Sequence, residues 1–353
     1  MFIHPRLSDC WPDAASLTPY EADALAFCRA WQRGQSTFTL YTSGSTGTPK
    51  PIQLTRAQMQ ASAHLTGQAL GLQPGDPALV CLNIRYVAGV MMLVRGLELG
   101  LPMTIIEPAS NPLAGLDTPI AFTALVPLQL QTILTDATTD YRPRLNAMRG
   151  ILVGGAATSP ALEADIQPLR VPVFATYGMT ETVSHIALRR LSGPVPDSAF
   201  TALPGVTLGT DERGCLHITA AASNFERVQT NDVVELLDAH RFRILGRADS
   251  IINSGGVKVQ PEPIERQVQQ LLNAWGLAPR LFVAGLPDAR LGQRITLVLE
   301  ATSLTDDQWA AVQQTVRTQS GAYAVPRAWV SLTAFAETAT GKIDRTATVG
   351  QIR

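Results

Sequence analysis

Residues 41–50 read YTSGSTGTPK, the densest run of hydroxyls and glycines in the chain. A polyphosphate needs convergent hydrogen-bond donors on a backbone that can approach closely. Glycines permit the approach, hydroxyls and amide N–H groups donate, and one lysine adds a compact positive charge. Thr42, Ser43, Gly44, Ser45, Thr46, Gly47, Thr48 and Lys50 supply these parts. The GxxxxGK[ST] loop of many nucleotidases does not fit. Pro49 stands where its second glycine would be, and Pro51 replaces the hydroxyl residue that would hold a metal. Read alone, the run could be a flexible linker. Its place after a β-prone segment and before a Pro-Lys pair favours a phosphate-gripping loop.

The loop closely resembles the signature of the adenylate-forming superfamily, which takes in acyl-CoA synthetases, luciferases and nonribosomal-peptide adenylation domains. Further segments that resemble this superfamily follow in its order. YGMTET at 177–182 resembles the second signature, and it implies that Tyr177 stacks on adenine, Thr180 bonds the α-phosphate and Glu181 ligates Mg²⁺. TND at 230–232 stands where relatives carry Thr-Gly-Asp, so Asp232 would accept from both ribose hydroxyls. Asn231 departs from the usual glycine but tolerates left-handed backbone. GRAD at 246–249 resembles the hinge motif, with Arg247 on ribose or phosphate and Asp249 as pivot. Gly255, Gly256 and Lys258 would then line the path of a phosphopantetheine arm. TGKIDR at 340–345 resembles the C-terminal signature, and Lys342 would bridge the substrate carboxylate and the α-phosphate. The resemblance implies ATP and CoA as co-substrates, Mg²⁺ as cofactor, and a small domain that rotates between two half-reactions.

The finer text, in TYGMTETVSHIALR at 176–189 and RYVAGVMMLVRGLELG at 85–100, resembles the o-succinylbenzoate–CoA ligases of menaquinone biosynthesis, particularly their shortened form. That substrate is an aromatic keto-diacid, and its second carboxylate asks for a cation. Arg95 is the candidate, ahead of Arg85, because a planar fork binds a carboxylate bidentately. A helical arginine that snorkels to the surface is the equal alternative. Tyr86 would wall the acid pocket. Gly154, Gly155 and Ala156 would line its floor beside the adenine, and Ser184 and His185 would face the ring carboxylate. Two other readings stay open: a ligase for a different aryl or acyl acid, and an inactive nucleotide-binding relative.

These residues need elements to hold them. Residues 37–41 read as a strand and 55–70 as a helix. Strands at 78–82, 103–106, 120–125, 150–153 and 171–176 alternate with helices at 87–99, 127–134 and 159–166. The expected class is α/β: a large N-terminal domain with a mostly parallel sheet, then a β-rich subdomain after about residue 192. A small mobile C-terminal α+β domain completes it. Residues 1–246 would form the large domain and 247–353 the small one, with the hinge near Asp249. Only 40 residues precede the loop, against a much longer segment in typical relatives, so one flank of the acid pocket is expected to be reduced.

Composition narrows the partners. Nearly half the residues are hydrophobic (46%), and the formal net charge is -1 with no basic tract, so nucleic acid and charged membrane surfaces are not expected partners. No apolar run approaches the roughly 20 residues of a membrane span. The four cysteines form no CxxC pair, which suits a reduced, cytoplasmic setting, and the N-terminus lacks a signal-peptide pattern. An oligomer is possible.

Overall fold

A computed structural model describes residues 1–5, 11–13, 16–41, 51–338 and 342–352. The loop residues Thr42, Ser43, Gly44, Ser45, Thr46, Gly47, Thr48 and Lys50 lie outside the described residues.

Five neighbouring parallel strands form the centre of a 12-stranded sheet, in the order Met103–Ile105, Ala78–Val80, Phe122–Leu125, Gly150–Val153 and Val173–Gly178. Their residues are mostly apolar, with Thr104, Thr123 and Thr176 as the polar interruptions, because both faces are covered. Alternate side chains feed separate cores. Val80, Phe122 and Leu152 pack with helix residues Met92 and Leu93 on one face. Leu79, Leu125, Ile151 and Val153 pack with Leu130, Leu145 and Leu162 on the other. Most helices begin where the sequence offers a cap or a proline, Val87–Leu99 being an exception. Thr55 and Gln58 form a capping box for Arg56–Leu70, and Ser159 caps Pro160–Ile166.

The expected β-rich subdomain is not a separate layer. His185–Arg190 runs antiparallel to Val173–Gly178 and carries the same sheet onward. Phe200–Ala202, Arg241–Arg247, Val228–Leu236, Cys215–Thr219 and Thr207–Thr210 follow, each antiparallel to its neighbour. At the far edge Phe2–Ile3 pairs antiparallel with Met103–Ile105.

The segment after residue 50 also differs from expectation. A strand, Pro51–Thr55, intervenes before the helix and pairs antiparallel with Thr37–Tyr41. Residues 42–50 therefore join the two strands of a hairpin. An isolated hairpin is marginal in water. This one is secured by Phe38, Leu40 and Leu54, which pack with Trp31 and Met59. Phe27, Trp31 and Phe38 form a three-way cluster: Trp31 stacks on Phe27 at 6.0 Å and on Phe38 at 5.2 Å, and Phe27 tilts against Phe38 at 5.1 Å. Trp31 belongs to a helix, Pro19–Gln32, which a Thr18–Glu21 capping box starts.

The C-terminal part has its own five-stranded sheet and its own core. Ile252, Val283, Ile295 and Leu297 pack against Ile264 and Val268 of helix Pro261–Ala274 and Val312 and Val316 of helix Asp306–Ser320. Helix Pro261–Ala274 also packs against strand Arg241–Arg247 and helix Pro160–Ile166 of the large part. Among the described residues no helix is long and apolar enough to cross a membrane.

Candidate active site

The sheet delivers most of the singled-out residues to one end. Ligands of open α/β sheets bind beyond the carboxyl ends of the parallel strands. Gly154 and Gly155 leave the carboxyl end of Gly150–Val153, and Tyr177 and Gly178 close Val173–Gly178. Both turns are built for close approach. A Cβ on Gly154 would lie 2.2 Å from Thr176 Oγ1, and Gly155 has φ +84°. A Cβ on Gly178 would lie 2.2 Å from the Ser184 carbonyl oxygen. Ala156, next along, is exposed.

A polar chain runs from Tyr177 to the start of the small domain. The Tyr177 hydroxyl donates to Asp232 Oδ2 at 2.6 Å, and Arg247 donates from NH1 to Asp232 Oδ1 at 3.1 Å. Arg247 also donates from Nε and NH2 to the two oxygens of Asp249, at 2.8 and 2.7 Å. Asp232 and Arg247 are direct cross-strand partners, so the register itself brings them together. Asn231, the departure from glycine, points its amide toward Asp249 at 3.5 Å. Burial and then the Asp232 charge raise the Tyr177 pKa, so the phenol stays protonated. The bond to Asp249 raises the Arg247 pKa, and the same contact lowers that of Asp249. Phe242 meets Tyr177 edge-on at 5.1 Å and Phe200 tilts against it at 5.8 Å, which fixes the ring.

Thr180 and Glu181 lie on the single 3₁₀ turn Thr180–Thr182 just beyond Tyr177. The turn closes on Val183 at φ +64°, a costly conformation for a β-branched residue. Thr182 holds it by accepting from the Met179 amide at 3.1 Å and donating to the Ser184 carbonyl at 2.9 Å. The Glu181 carboxylate is exposed and has no partner among the described residues. An exposed carboxylate beside a hydroxyl suits Mg²⁺, which keeps most of its water and takes one or two carboxylates plus phosphate oxygens. Among the described residues no three His, Cys, Asp or Glu side chains cluster as a metal cage.

A second polar group is buried behind this turn. Arg95, in helix Val87–Leu99, is only 3% exposed. It donates from Nε to Thr66 Oγ1 at 3.1 Å, from NH2 to Ser184 Oγ at 3.0 Å and from NH1 to Met92 Sδ at 3.8 Å. Ser184 Oγ also meets Ser62 Oγ at 2.6 Å, and His185 Nε2 meets Thr66 Oγ1 at 3.2 Å. No carboxylate pairs with Arg95 among the described residues. Burial lowers its pKa to about 9, which leaves the guanidinium charged at neutral pH. Burial and then the Arg95 charge push His185 well below its ordinary value, so it is neutral. Arg95 therefore does not snorkel. Ser62 and Thr66 escaped the sequence reading. Their signal was two small polar residues one turn apart on the buried face of helix Arg56–Leu70. Tyr86 caps the Arg95 helix at its other end, about 13 Å along the axis by helical rise, and Arg85 is exposed.

The C-terminal residues divide. Gly255 and Gly256 have φ +59° and +82° and form a two-residue hairpin turn between Ile252–Ser254 and Val257–Val259. Lys258 is exposed on the second strand. Lys342 feels the charge of Arg247 in the polar chain. Its side chain has exposed surface, yet surrounding protein and then the Arg247 charge lower its pKa. Thr338 N donates to the Lys342 carbonyl at 2.8 Å, and Lys342 N donates to Thr338 Oγ1 at 3.2 Å. Arg345 anchors the following residues by donating to both oxygens of Glu265, at 2.8 and 2.9 Å.

Residues 12–209 match the family model described as AMP-binding enzyme. A probable 2-succinylbenzoate–CoA ligase of Mycobacterium tuberculosis is 30% identical over 332 residues, which cover 87% of this chain and 82% of that protein. The crystal structure of an acyl-CoA synthetase (AMP-forming)/AMP-acid ligase II-like protein from Dyadobacter fermentans is 43% identical. It covers 100% of this chain and 99% of its own, with a TM-score of 0.68. An o-succinylbenzoate coenzyme A synthetase of Bacillus subtilis, solved with ATP and a magnesium ion, shares the fold at a TM-score of 0.73 and 20% identity. That match covers 88% of this chain and 69% of the other.

Proposed function

Because this chain belongs to the AMP-binding enzyme family, we propose that it is an AMP-forming acid–CoA ligase that converts o-succinylbenzoate to its CoA thioester in menaquinone biosynthesis. In the first half-reaction a carboxylate oxygen of the acid attacks the α-phosphorus of ATP and pyrophosphate leaves. In the second, the CoA sulfur, having lost its proton, attacks the acyl carbon of the mixed anhydride and AMP leaves with the bonding pair.

The protein's part is alignment and charge neutralisation. Tyr177 offers a ring face to adenine, with Gly154, Gly155 and Ala156 as the floor opposite. Asp232 accepts from the ribose hydroxyls, and Arg247 keeps that carboxylate ionised and oriented. Thr180 donates to the α-phosphate. Glu181 would hold Mg²⁺, which offsets phosphate charge when bound. Thr42–Thr48 and Lys50 are assigned to the β- and γ-phosphates. Lys342 bridges the attacking carboxylate and the α-phosphate, and its nearness to Arg247 supports an arrangement set for adenylate formation. For thioester formation the small domain, residues 247–353, turns about Asp249 and brings Gly255, Gly256 and Lys258 to the site.

One observation carries the choice of acid. Among the described residues the buried Arg95 guanidinium has only hydroxyls and a thioether as partners (Thr66, Ser184, Met92), an uncompensated charge. A second substrate carboxylate would neutralise it, reached through Ser184 and flanked by neutral His185, with Tyr86 as the farther wall. A monocarboxylic acid would leave it unpaired. Arg95→Lys should therefore raise KM for o-succinylbenzoate roughly tenfold or more, because a point charge replaces a bidentate fork, with little change in KM for ATP. Steady-state kinetics of pyrophosphate release would measure both. An unchanged KM for the diacid would remove Arg95 from the acid pocket.

A further inference from the structure

Two short stems, 335–338 and 342–345, meet beside Lys342. Glu337 and Ile343 form an antiparallel bridge, and Asp344 N donates to the Ala336 carbonyl at 2.8 Å. So short a hairpin is marginal by itself in water. A salt-bridge network ties its first stem to the sheet of the small domain. Arg280 stands just before strand Leu281–Asp288 and donates from Nε and NH2 to the two oxygens of Glu300, at 2.6 and 2.5 Å. Glu300 ends the neighbouring strand, Gly292–Glu300. Arg280 NH1 donates to Glu337 on the stem. Glu300 Oε1 also accepts from the Phe335 amide at 2.7 Å, so the network grips the stem at two points. The Arg280 guanidinium lies over the Phe335 ring at 5.8 Å, and that ring is buried edge-on against Phe282 at 5.2 Å. Lone surface ion pairs contribute little, but a bidentate fork shared between two carboxylates has the geometry that holds. The bond from Arg280 lowers the Glu300 pKa, which keeps that carboxylate ionised. The second stem has its own anchor in Arg345 and Glu265.

We propose that Arg280 is a positioning residue for Lys342: by holding Glu337 directly, and Phe335 through Glu300, it sets where the Lys342 ammonium meets the reacting groups. That role rests on the ligase reading and on the part given to Lys342 within it. Arg280 acts only through the stem, not on substrate. Position matters here because a misplacement of about 1 Å can cost roughly a hundredfold in rate. Arg280, Glu300 and Glu337 all belong to the small domain, so the network would travel with Lys342 when that domain turns. Thioester formation, which does not use Lys342, is then indifferent to it.

The test uses the full chain and reads the two half-reactions apart: acid-dependent pyrophosphate exchange for the first, and single-turnover thioester formation from supplied acyl-adenylate for the second. R280A should lower kcat for exchange about tenfold or more, with KM for ATP and for the acid within about twofold and thioester formation within about twofold. R280K should recover only part of the loss, because one point charge cannot hold both carboxylates. E337Q removes a single, half-exposed contact and should show a severalfold loss with the same split, which keeps the test open if R280A does not fold. A double-mutant cycle separates positioning from general damage: exchange by R280A/K342A should be no lower than by K342A alone. Unchanged exchange in R280A and E337Q overturns the role of Arg280 and leaves the ligase reading standing. So does equal loss in both half-reactions, or losses that multiply in the double variant. Absence of exchange in the wild type with every acid overturns the ligase reading and the role of Arg280 with it.

Discussion

Asp232 is a cross-strand partner of Arg247 and the acceptor for Tyr177, so one carboxylate ties Tyr177 to the strand end from which the C-terminal part continues. Asp232→Asn keeps the shape and removes the charge. It should raise KM for ATP by about tenfold or more while KM for the acid stays nearly constant, as measured by pyrophosphate exchange. His185 gives a stability prediction. Its folded pKa lies well below the ordinary 6.5, because burial and Arg95 disfavour its charged form. The unfolded chain then binds the extra proton first as pH falls. Stability is fully present above about pH 6.5 and declines below it, and urea midpoints across pH 5 to 8 would show the slope. His185→Gln should flatten that window, and an unchanged slope would mean that His185 is already accessible to water. The sequence made Arg95, Ser184 and His185 legible as candidates because they sit beside recognisable motifs. It did not distinguish a buried arginine from a snorkelling one, since both occupy the same helical position. Thr66, which accepts from Arg95, and Ser62, which meets Ser184, belong to no motif, and their only mark was a spacing of one turn on a helix face.

Parallel strands and their helices were legible because long apolar periods and proline or Ser/Thr starts leave strong local marks. Pro160 and Ser159 announce one helix, and 150–153 is an unbroken apolar strand. Pro51–Thr55 was not legible. It is short, starts with proline, and earns its place only by pairing with Thr37–Tyr41. The same holds for Phe200–Ala202, three residues fixed by neighbours on both sides. Pro19–Gln32 was passed over although Thr18 and Glu21 carry a capping box. At this scale the role proposed for Lys342 would draw on the contacts around it: Thr338 N donates to the Lys342 carbonyl, and Arg345 donates to Glu265. Lys342→Ala should abolish most adenylate formation, yet leave thioester formation from supplied acyl-adenylate largely intact. Single-turnover assays of each half would separate them, and equal loss in both would contradict the role given to Lys342. Its lowered pKa adds a sign: loss of activity at high pH should begin below the range of an ordinary lysine, because the ammonium discharges earlier.

On the scale of the whole molecule, one 12-stranded sheet holds the nucleotide and acid groups, and a second domain with its own core carries Lys342 and the Gly255–Gly256 turn. The joint between them is polar and exposed: Arg247 is 45% and Asp249 50% exposed in their side chains, and Ser250 donates to Glu262 at 2.6 Å. Polar, solvent-reached contacts of this kind release at low cost, as the proposed turning of the small domain would need. The continuity of the sheet through His185–Arg190 was not legible, because nothing local states which strand a neighbour will choose. The central claim is that this molecule adenylates an aromatic diacid and passes it to CoA. AMP release from a panel of acids, with and without CoA, tests that most directly. The account predicts CoA-dependent turnover with kcat/KM highest for o-succinylbenzoate, and benzoate or medium-chain fatty acids outperforming it by a large margin would contradict it.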